Sequence, residues 1–338
     1  MEAVGIGDLH LSAVNGSGGL SRYVSGNSDK AILKEVQVAI DYAREHYIKN
    51  AFIYGDFCDG PKMSYQAHLA LYEFFTRNKD IMFYGILGNH DKLAKGKQYG
   101  SSCDLLEKFS LSNFKLYPEP TVEKIDGALV NFLSFPYHNW NPDCLNICHI
   151  DVHGSVMDSG RPSQSKVKLD KNAVVVAGHI HTEGKVGKKC FYSGTMYQTN
   201  FGEKQEKGFH HIMFNSPDDF EIQFIPHTPS ILLHTVTVYS EKDLQGLPNS
   251  PNNIYRLLIQ DGADIVPEQY AHLNTAVIKS FASKKDLQEA LTSQLEYVSI
   301  EDIKPEQVFE ELLNNREDIT DSMKERIRQA RYRVLKSL

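Results

Sequence analysis

The 338-residue chain has a formal net charge of −7 and is 41% apolar and 23% charged, the balance of an ordinary soluble globular protein. It has no run of about 18 apolar residues, which argues against a membrane-spanning helix. Its opening Met-Glu-Ala-Val-Gly-Ile-Gly-Asp reads as a strand entering a loop, without the basic stretch and apolar core of a signal peptide. Five cysteines, odd in number and irregular in spacing, argue against a disulfide framework and point to a reducing compartment, read here as the cytoplasm.

In chain order, short apolar runs that end at Gly, Pro or polar clusters predict strands at Ala3 to Gly7, Ala51 to Tyr54, Ile81 to Leu87, Ala128 to Phe135, Leu145 to Ile150 and Val174 to Ala177. Between the first two, Ile32, Val36, Ile40, Ala43 and Tyr47 recur at helical spacing and predict a helix over Lys30 to Lys49. Ser64 to Arg77 reads as a second helix, and the Gly/Ser/Asn-rich stretch from Ser12 to Ser28 as a loop. Helices alternating with strands predict helix layers around a central sheet. From about Ile231 the texture changes: strands at Ile231 to Tyr239, Ile254 to Ile259 and Ala276 to Phe281, with a short helix at Pro267 to Leu273, suggest a separate small α/β domain. Two final helices are expected at Pro305 to Asn314 and Thr320 to Leu338. The second is basic on one side (Lys324, Arg326, Arg328, Arg331, Arg333, Lys336) with an apolar stripe opposite, as on a partner-docking surface.

Five short motifs carry the chemistry: Gly7-Asp8-Leu9-His10, Gly55-Asp56-Phe57-Cys58-Asp59, Gly88-Asn89-His90-Asp91, His149, and Gly178-His179-Ile180-His181. Most follow a predicted strand, where side chains are held by a sheet yet project into a crevice. The set offers carboxylate, amide and imidazole donors and no thiolate, which suits Mn²⁺, Fe²⁺ or Zn²⁺. Glycine before a donor lets the chain turn close to a charged centre. Seven donors exceed the needs of one ion and suit two that share a carboxylate. Two ions about 3.5–4 Å apart can clamp one phosphate and stabilise both attacking and leaving oxygens, the chemistry of phosphoester hydrolysis.

The series GDLH, GDFCD, GNHD, a later lone His and GHIH resembles the calcineurin-like metallophosphoesterases over about the first 200 residues. Within that family it is most similar to the SbcD-type double-strand-break nucleases, especially the nuclease subunits of bacteriophage recombination endonucleases. Tyr192-Ser193-Gly194-Thr195 through Phe201-Gly202-Glu203 and Lys207-Gly208-Phe209, and the tail Asp318 to Ser322, carry that likeness. The resemblance implies an α/β fold: a four-layer α/β/β/α sandwich over 1–225, a small α/β capping domain over 230–298 that contacts DNA, and a C-terminal helical hairpin over 303–338 that binds an SbcC-like coiled-coil ATPase. It implies a homodimer and two divalent metal ions, Mn²⁺ by expectation. Asp8, His10 and His181 would hold the first ion, Asp56 would bridge, and Asn89, His149 and His179 would hold the second. His153 is the alternative to His149. His90 would assist leaving-group departure, and Asp91 would orient His90 through a hydrogen bond.

An acidic chain can still bind DNA if its basic groups are local. Lys92, Lys95 and Lys97 follow the third motif, Lys185, Lys188 and Lys189 follow the fifth, and Lys166, Lys168 and Lys171 precede it; together they are expected to form a basic rim that contacts phosphates without reading sequence. The reading is a Mn²⁺-dependent DNA exonuclease and endonuclease. The alternatives are a phosphodiesterase for small or cyclic phosphodiesters and a non-catalytic scaffold of a repair complex.

Overall fold

The computed structural model describes residues 1–14, 20, 23–24, 28–92, 101, 103–108, 111–260, 262–263 and 265–281. The expected terminal hairpin, Lys95 and Lys97 lie outside them. Strand β1 (Glu2–Ile6) leads through helix α1 (Ser28–Glu45) to β2 (Asn50–Ile53), and helix α2 (Tyr65–Arg77) leads to β3 (Met82–Ile86). Helix α3 (Asp104–Lys108) precedes β4 (Phe114–Tyr117), β5 (Thr121–Ile125), β6 (Ala128–Leu133), β7 (Leu145–His149) and β8 (Val174–Gly178). The strands β9 (Gly184–Val186), β10 (Cys190–Tyr192), β11 (Lys207–Ser216) and β12 (Asp219–His227) complete two six-stranded sheets, ordered β12-β11-β1-β2-β3-β4 and β5-β6-β7-β8-β10-β9.

In the first sheet β1 to β4 run parallel, and in the second β6, β7 and β8 do. The strands β7 and β8 are buried at every position, as parallel strands covered on both faces must be; β8 reads as an unbroken apolar run, while β7 carries the buried Asn146 and His149. Phe52, Tyr54, Ile86, Phe132, Ile147, Val176, Ile212 and Phe214 fill the space between the sheets. The outer face of the first sheet is covered by the apolar stripes of α1 and α2, with Ile32, Val36, Ile40, Leu71 and Phe75 in its core. The outer face of the second sheet, over Cys148, Val175, Ala177 and Tyr192, is covered by Trp140, Met157, Val167 and Leu169. Those residues sit in irregular chain.

Helix α1 stops short of its expected end. Tyr47 turns into the left-handed region at φ 59, and the amide of Ile48 closes back on the carbonyl of Ala43 at 2.8 Å. Helix α2 begins where Ser64 Oγ accepts from the amide of Ala67 at 3.0 Å, satisfying one of the free first-turn donors.

Beyond β12, the strands β13 (Leu232–Val238), β14 (Asn253–Gln260) and β15 (Thr275–Phe281) form a parallel three-stranded sheet. Val238, Leu244, Tyr255, Leu257 and Leu273 give it a core of its own. The expected short helix is a 3-10 turn, Pro267–Gln269. This small sheet is tied to the sandwich through Gln198, whose side-chain oxygen accepts from the amide of Leu233 at 2.9 Å and whose amide donates to the Leu233 carbonyl at 3.2 Å.

Candidate metal centre

Both sheets present the C-terminal ends of their parallel strands to one crevice. Asp8 and His10 follow β1, Asp56 follows β2 and Asn89 follows β3, while His149 ends β7, and His179 and His181 follow β8. The ends meet closely. The amide of His179 donates to Asp8 Oδ1 at 2.9 Å, and His149 Nδ1 lies 2.7 Å from the carbonyl of Tyr54 and 3.3 Å from Asp8 Oδ1. Ligand-capable atoms of Asp8, His10 and His181 lie within 4.8 Å of one another, as do those of Asp8, Asp56 and His149, and those of His10, Asp56 and His90. Asn89 Oδ1 is 3.0 Å from His149 Nε2 and 3.0 Å from His179 Nδ1. The seven expected donors therefore converge, with Asp56 between the two groups. His153, the alternative to His149, is exposed, and its amide donates to the carbonyl of Val167 at 2.8 Å.

The backbone here is unusual. His10 (φ 46), Asp56 (φ 46) and His179 (φ 84) all sit in the left-handed region, which non-glycine residues enter at a cost of about 1–3 kcal/mol each. Strain of this kind persists where the surroundings enforce it: the amides of Leu9 and His10 both bond the carbonyl of Asp56, at 2.9 and 2.8 Å. Gly88 shows how tight the packing is, because a Cβ there would lie 2.0 Å from Asp56 Oδ1.

The hydrogen-bond pattern identifies what the crevice is built to hold. A carboxylate oxygen only accepts, so His10 Nδ1, 3.0 Å from Asp59 Oδ1, and His181 Nδ1, 3.0 Å from Glu203 Oε1, carry hydrogen. Their Nε2 atoms then face each other at 3.0 Å. In the same way His149 gives Nδ1–H to Tyr54, leaving Nε2 beside two acceptors, Asp56 Oδ2 at 3.2 Å and Asn89 Oδ1 at 3.0 Å. Acceptor facing acceptor in a buried site requires a positive centre between them, a proton or a cation, and these residues fit a pair of divalent ions.

Titration directions agree. Burial opposes charge on Asp56, yet His149, His90 and His10 beside it hold its carboxyl well below the usual carboxylate range. Burial lowers His149 and His181, but the field of Asp56 and Asp8 raises the first to about 9, and that of Asp158 and Glu203 raises the second to about 10. Burial and the charge of His149 lower His179, while burial outweighs Asp56 to lower His90. The crevice is rich in negative potential that protons or cations relieve.

Three expectations need correction. Asp91 does not hold the His90 ring. It is fully buried, accepts from the amides of Gly88 (2.9 Å), Cys58 (3.0 Å) and Phe57 (3.2 Å), and is pushed up to about 6 by burial and the charge of Asp56. It locks the second motif to the third; the carboxylate beside His90 Nδ1 is Asp59, at 3.7 Å. Lys92 is buried, with Nζ 5.4 Å from the Tyr137 ring centroid, so it is not a rim lysine. Lys188 lies at the turn between β9 and β10, and the neighbouring Lys189 carbonyl accepts from Val175 near the start of β8. A five-residue strand spans roughly 16 Å, which puts Lys188 at the opposite end of the sheet from His179. Lys185 is exposed on β9, its Nζ 4.5 Å from the Phe191 ring centroid.

Sequence reasoning gave no role to Asp59 or Glu203, though it quoted both within motifs. The doubled acid in GDFCD was the available signal for Asp59.

The family model Calcineurin-like phosphoesterase matches residues 1–183, and the chain belongs to that family. That is a family of phosphoesterases that use divalent metal ions. The chain is also similar to the curated "Putative phosphoesterase 244L" of Invertebrate iridescent virus 6, 27% identical over 152 residues, covering 40% of this chain and 52% of that protein. This chain thus spans about half the length of the curated relative it matches. Among solved structures, a purple acid phosphatase from yellow lupin (Lupinus luteus) seeds is similar at 12% identity and a TM-score of 0.36, over 66% of this chain and 51% of that one. Among the described residues, no helix is long and apolar enough to cross a membrane.

Proposed function

We propose that this chain is a two-metal phosphodiesterase that cuts DNA with Mn²⁺, working as the nuclease subunit of an SbcCD-like complex. The observation that carries the metal part is the placement of Asp56, whose Oδ2 is 3.7 Å from His10 Nε2 and 3.2 Å from His149 Nε2, between the two donor groups. One ion would be held by Asp8, His10, Asp56 and His181, and the other by Asp56, Asn89, His149 and His179. Bound there, the ions would polarise a phosphoryl group and raise the acidity of water. The chain's own residues orient those donors through Asp59, Tyr54 and Asp91. His90, 21% exposed with its amide given to Asp56 Oδ1 at 2.9 Å, stands at the crevice where a leaving oxygen would need a proton.

The DNA part rests on the likeness of the motif series to the double-strand-break nucleases and on the small sheet seated against the segment that follows the last metal motif. The partner would be a coiled-coil ATPase docked on the chain after residue 300. The test compares linear duplex DNA with bis(p-nitrophenyl) phosphate under Mn²⁺, using the full chain alone and with an SbcC-like ATPase. DNA cleavage that EDTA and Asp56→Asn abolish is the expected result. Asp56-dependent hydrolysis of the small diester with DNA left intact would overturn the substrate and leave the enzyme class standing. Inactivity on both, with and without the ATPase, would mark a scaffold.

A further inference from the structure

Glu203 is buried, its side chain completely so. One oxygen meets His181 Nδ1 at 3.0 Å and accepts from Asn200 Nδ2 at 2.8 Å and from the Thr199 hydroxyl. The other accepts from the amide of Thr199 at 3.1 Å and from Lys207 Nζ at 2.5 Å. Lys207, itself buried, gives its remaining donors to the carbonyl of His181 and to Thr195 Oγ1, each at 3.0 Å. The ring of His181 is thus held by Glu203, on the segment between β10 and β11, which forms a buried ion pair with Lys207 at the start of β11. A buried pair of this kind is weak evidence of a gain in stability, because the desolvation cost rivals the attraction. Its geometry serves another purpose: a carboxylate on Nδ1 leaves only Nε2 to face the crevice and fixes the plane of the ring.

We propose that Glu203 is the positioning residue of the metal centre, holding His181 with Nε2 directed at the cation. This rests on His181 being a metal ligand. Removing an acid that orients a ligand imidazole typically costs about 10–100-fold in metal affinity. Thr199 also lies 3.1 Å from Nδ1, but a hydroxyl can donate as well as accept and so does not select the tautomer.

The experiment is Mn²⁺ titration of the full chain, followed calorimetrically and by the electron paramagnetic resonance of free Mn²⁺. The variants are His181→Ala, Lys207→Met and the paired Glu203→Leu/Lys207→Met, which avoids stranding a buried ammonium. The wild type is expected to bind two ions. Lys207→Met keeps the carboxylate on Nδ1 and should bind both within a few-fold of wild type, whereas the paired variant should lose about 10–100-fold at one step with the other unchanged. Wild-type affinity in the paired variant would overturn the proposal, as would an equal loss in Lys207→Met, which would make packing the cause. If His181→Ala still binds two ions as the wild type does, the ligand assignment itself fails, which is a separate outcome.

Discussion

The Nε2 atoms of His10 and His181 face each other at 3.0 Å across the crevice, each ring pinned from behind by a carboxylate, Asp59 for one and Glu203 for the other. Bare lone pairs at that distance repel unless a positive centre lies between them. Metal occupancy should therefore stabilise the fold. Mn²⁺ at 100 times its Kd adds about 2.7 kcal/mol per site, and thermal unfolding should shift upward with Mn²⁺ and fall back on adding EDTA. An unfolding midpoint that does not move with either would show that the crevice holds no ion.

Gly88→Ala should abolish two-ion binding. The new Cβ would stand 2.0 Å from Asp56 Oδ1 and 2.5 Å from the Asp56 amide, so the carboxylate shared by both donor groups must move. Counting bound Mn²⁺ in a folded Gly88→Ala protein checks this; two ions at wild-type affinity would show that Asp56 need not sit where it does.

The strands that carry the candidate donors were legible because β1, β2, β3 and β8 are short, apolar and end at or just before a glycine, while β7 is short and set off by polar residues. Outside them the pattern weakens. The strand β11 carries Lys207, His210 and His211, all buried, and reads as polar although Phe209, Ile212 and Phe214 anchor it in the cores. The edge strand β5 (Thr121–Ile125) alternates half-buried with exposed residues up to the buried Ile125 and has little apolar signal. The seven donors were legible as residue types at strand ends. The left-handed backbone of His10, Asp56 and His179 was not, because it is imposed by contacts across the crevice. Asp91 misled for a related reason: adjacency in sequence suggested a bond to His90, but its carboxylate turns inward to three amides.

His210 makes stability depend on pH. Burial between the sheets, beside the Tyr54 hydroxyl at 3.2 Å, lowers its pKa to about 3. The unfolded ring, near 6.5, takes up a proton below that pH while the folded ring does not. Stability contributed by the neutral ring is complete above about 6.5 and falls by about 1.4 kcal/mol per pH unit down to about 3. Urea unfolding between pH 4 and 7 should show a slope that His210→Gln reduces. An unchanged slope would show that the ring is protonated in the fold.

Glu35 should also lose stability on acidification, here because the fold favours the charged form. Burial raises its pKa, but His227 at 2.7 Å, the Ser230 amide at 3.1 Å and the Ser230 hydroxyl outweigh that and lower it. A depressed carboxyl contributes stability above its unfolded pKa and loses it as pH falls through the folded one. Glu35→Gln should therefore destabilise at pH 7 and approach wild type in acid, below about 4. A constant difference between the two proteins from pH 7 to pH 3 would contradict the lowered pKa.

Gln198 joins the small parallel sheet to the metal centre. Its side chain exchanges two hydrogen bonds with Leu233 on β13, and its amide also donates to the carbonyl of Glu203 at 3.0 Å, one residue's width from the carboxylate that holds His181. Gln198→Ala leaves the Leu233 amide and two carbonyls without partners in a buried setting, a loss of about 1–3 kcal/mol for each group left unsatisfied. The loss should be local first. Hydrogen exchange at Leu233 should accelerate, and protection should fall across β13 and β14 before it falls in β7 or β8, because the latter are held by the sandwich core. Uniform loss of protection across all four strands would mean that the small sheet and the sandwich open as one unit.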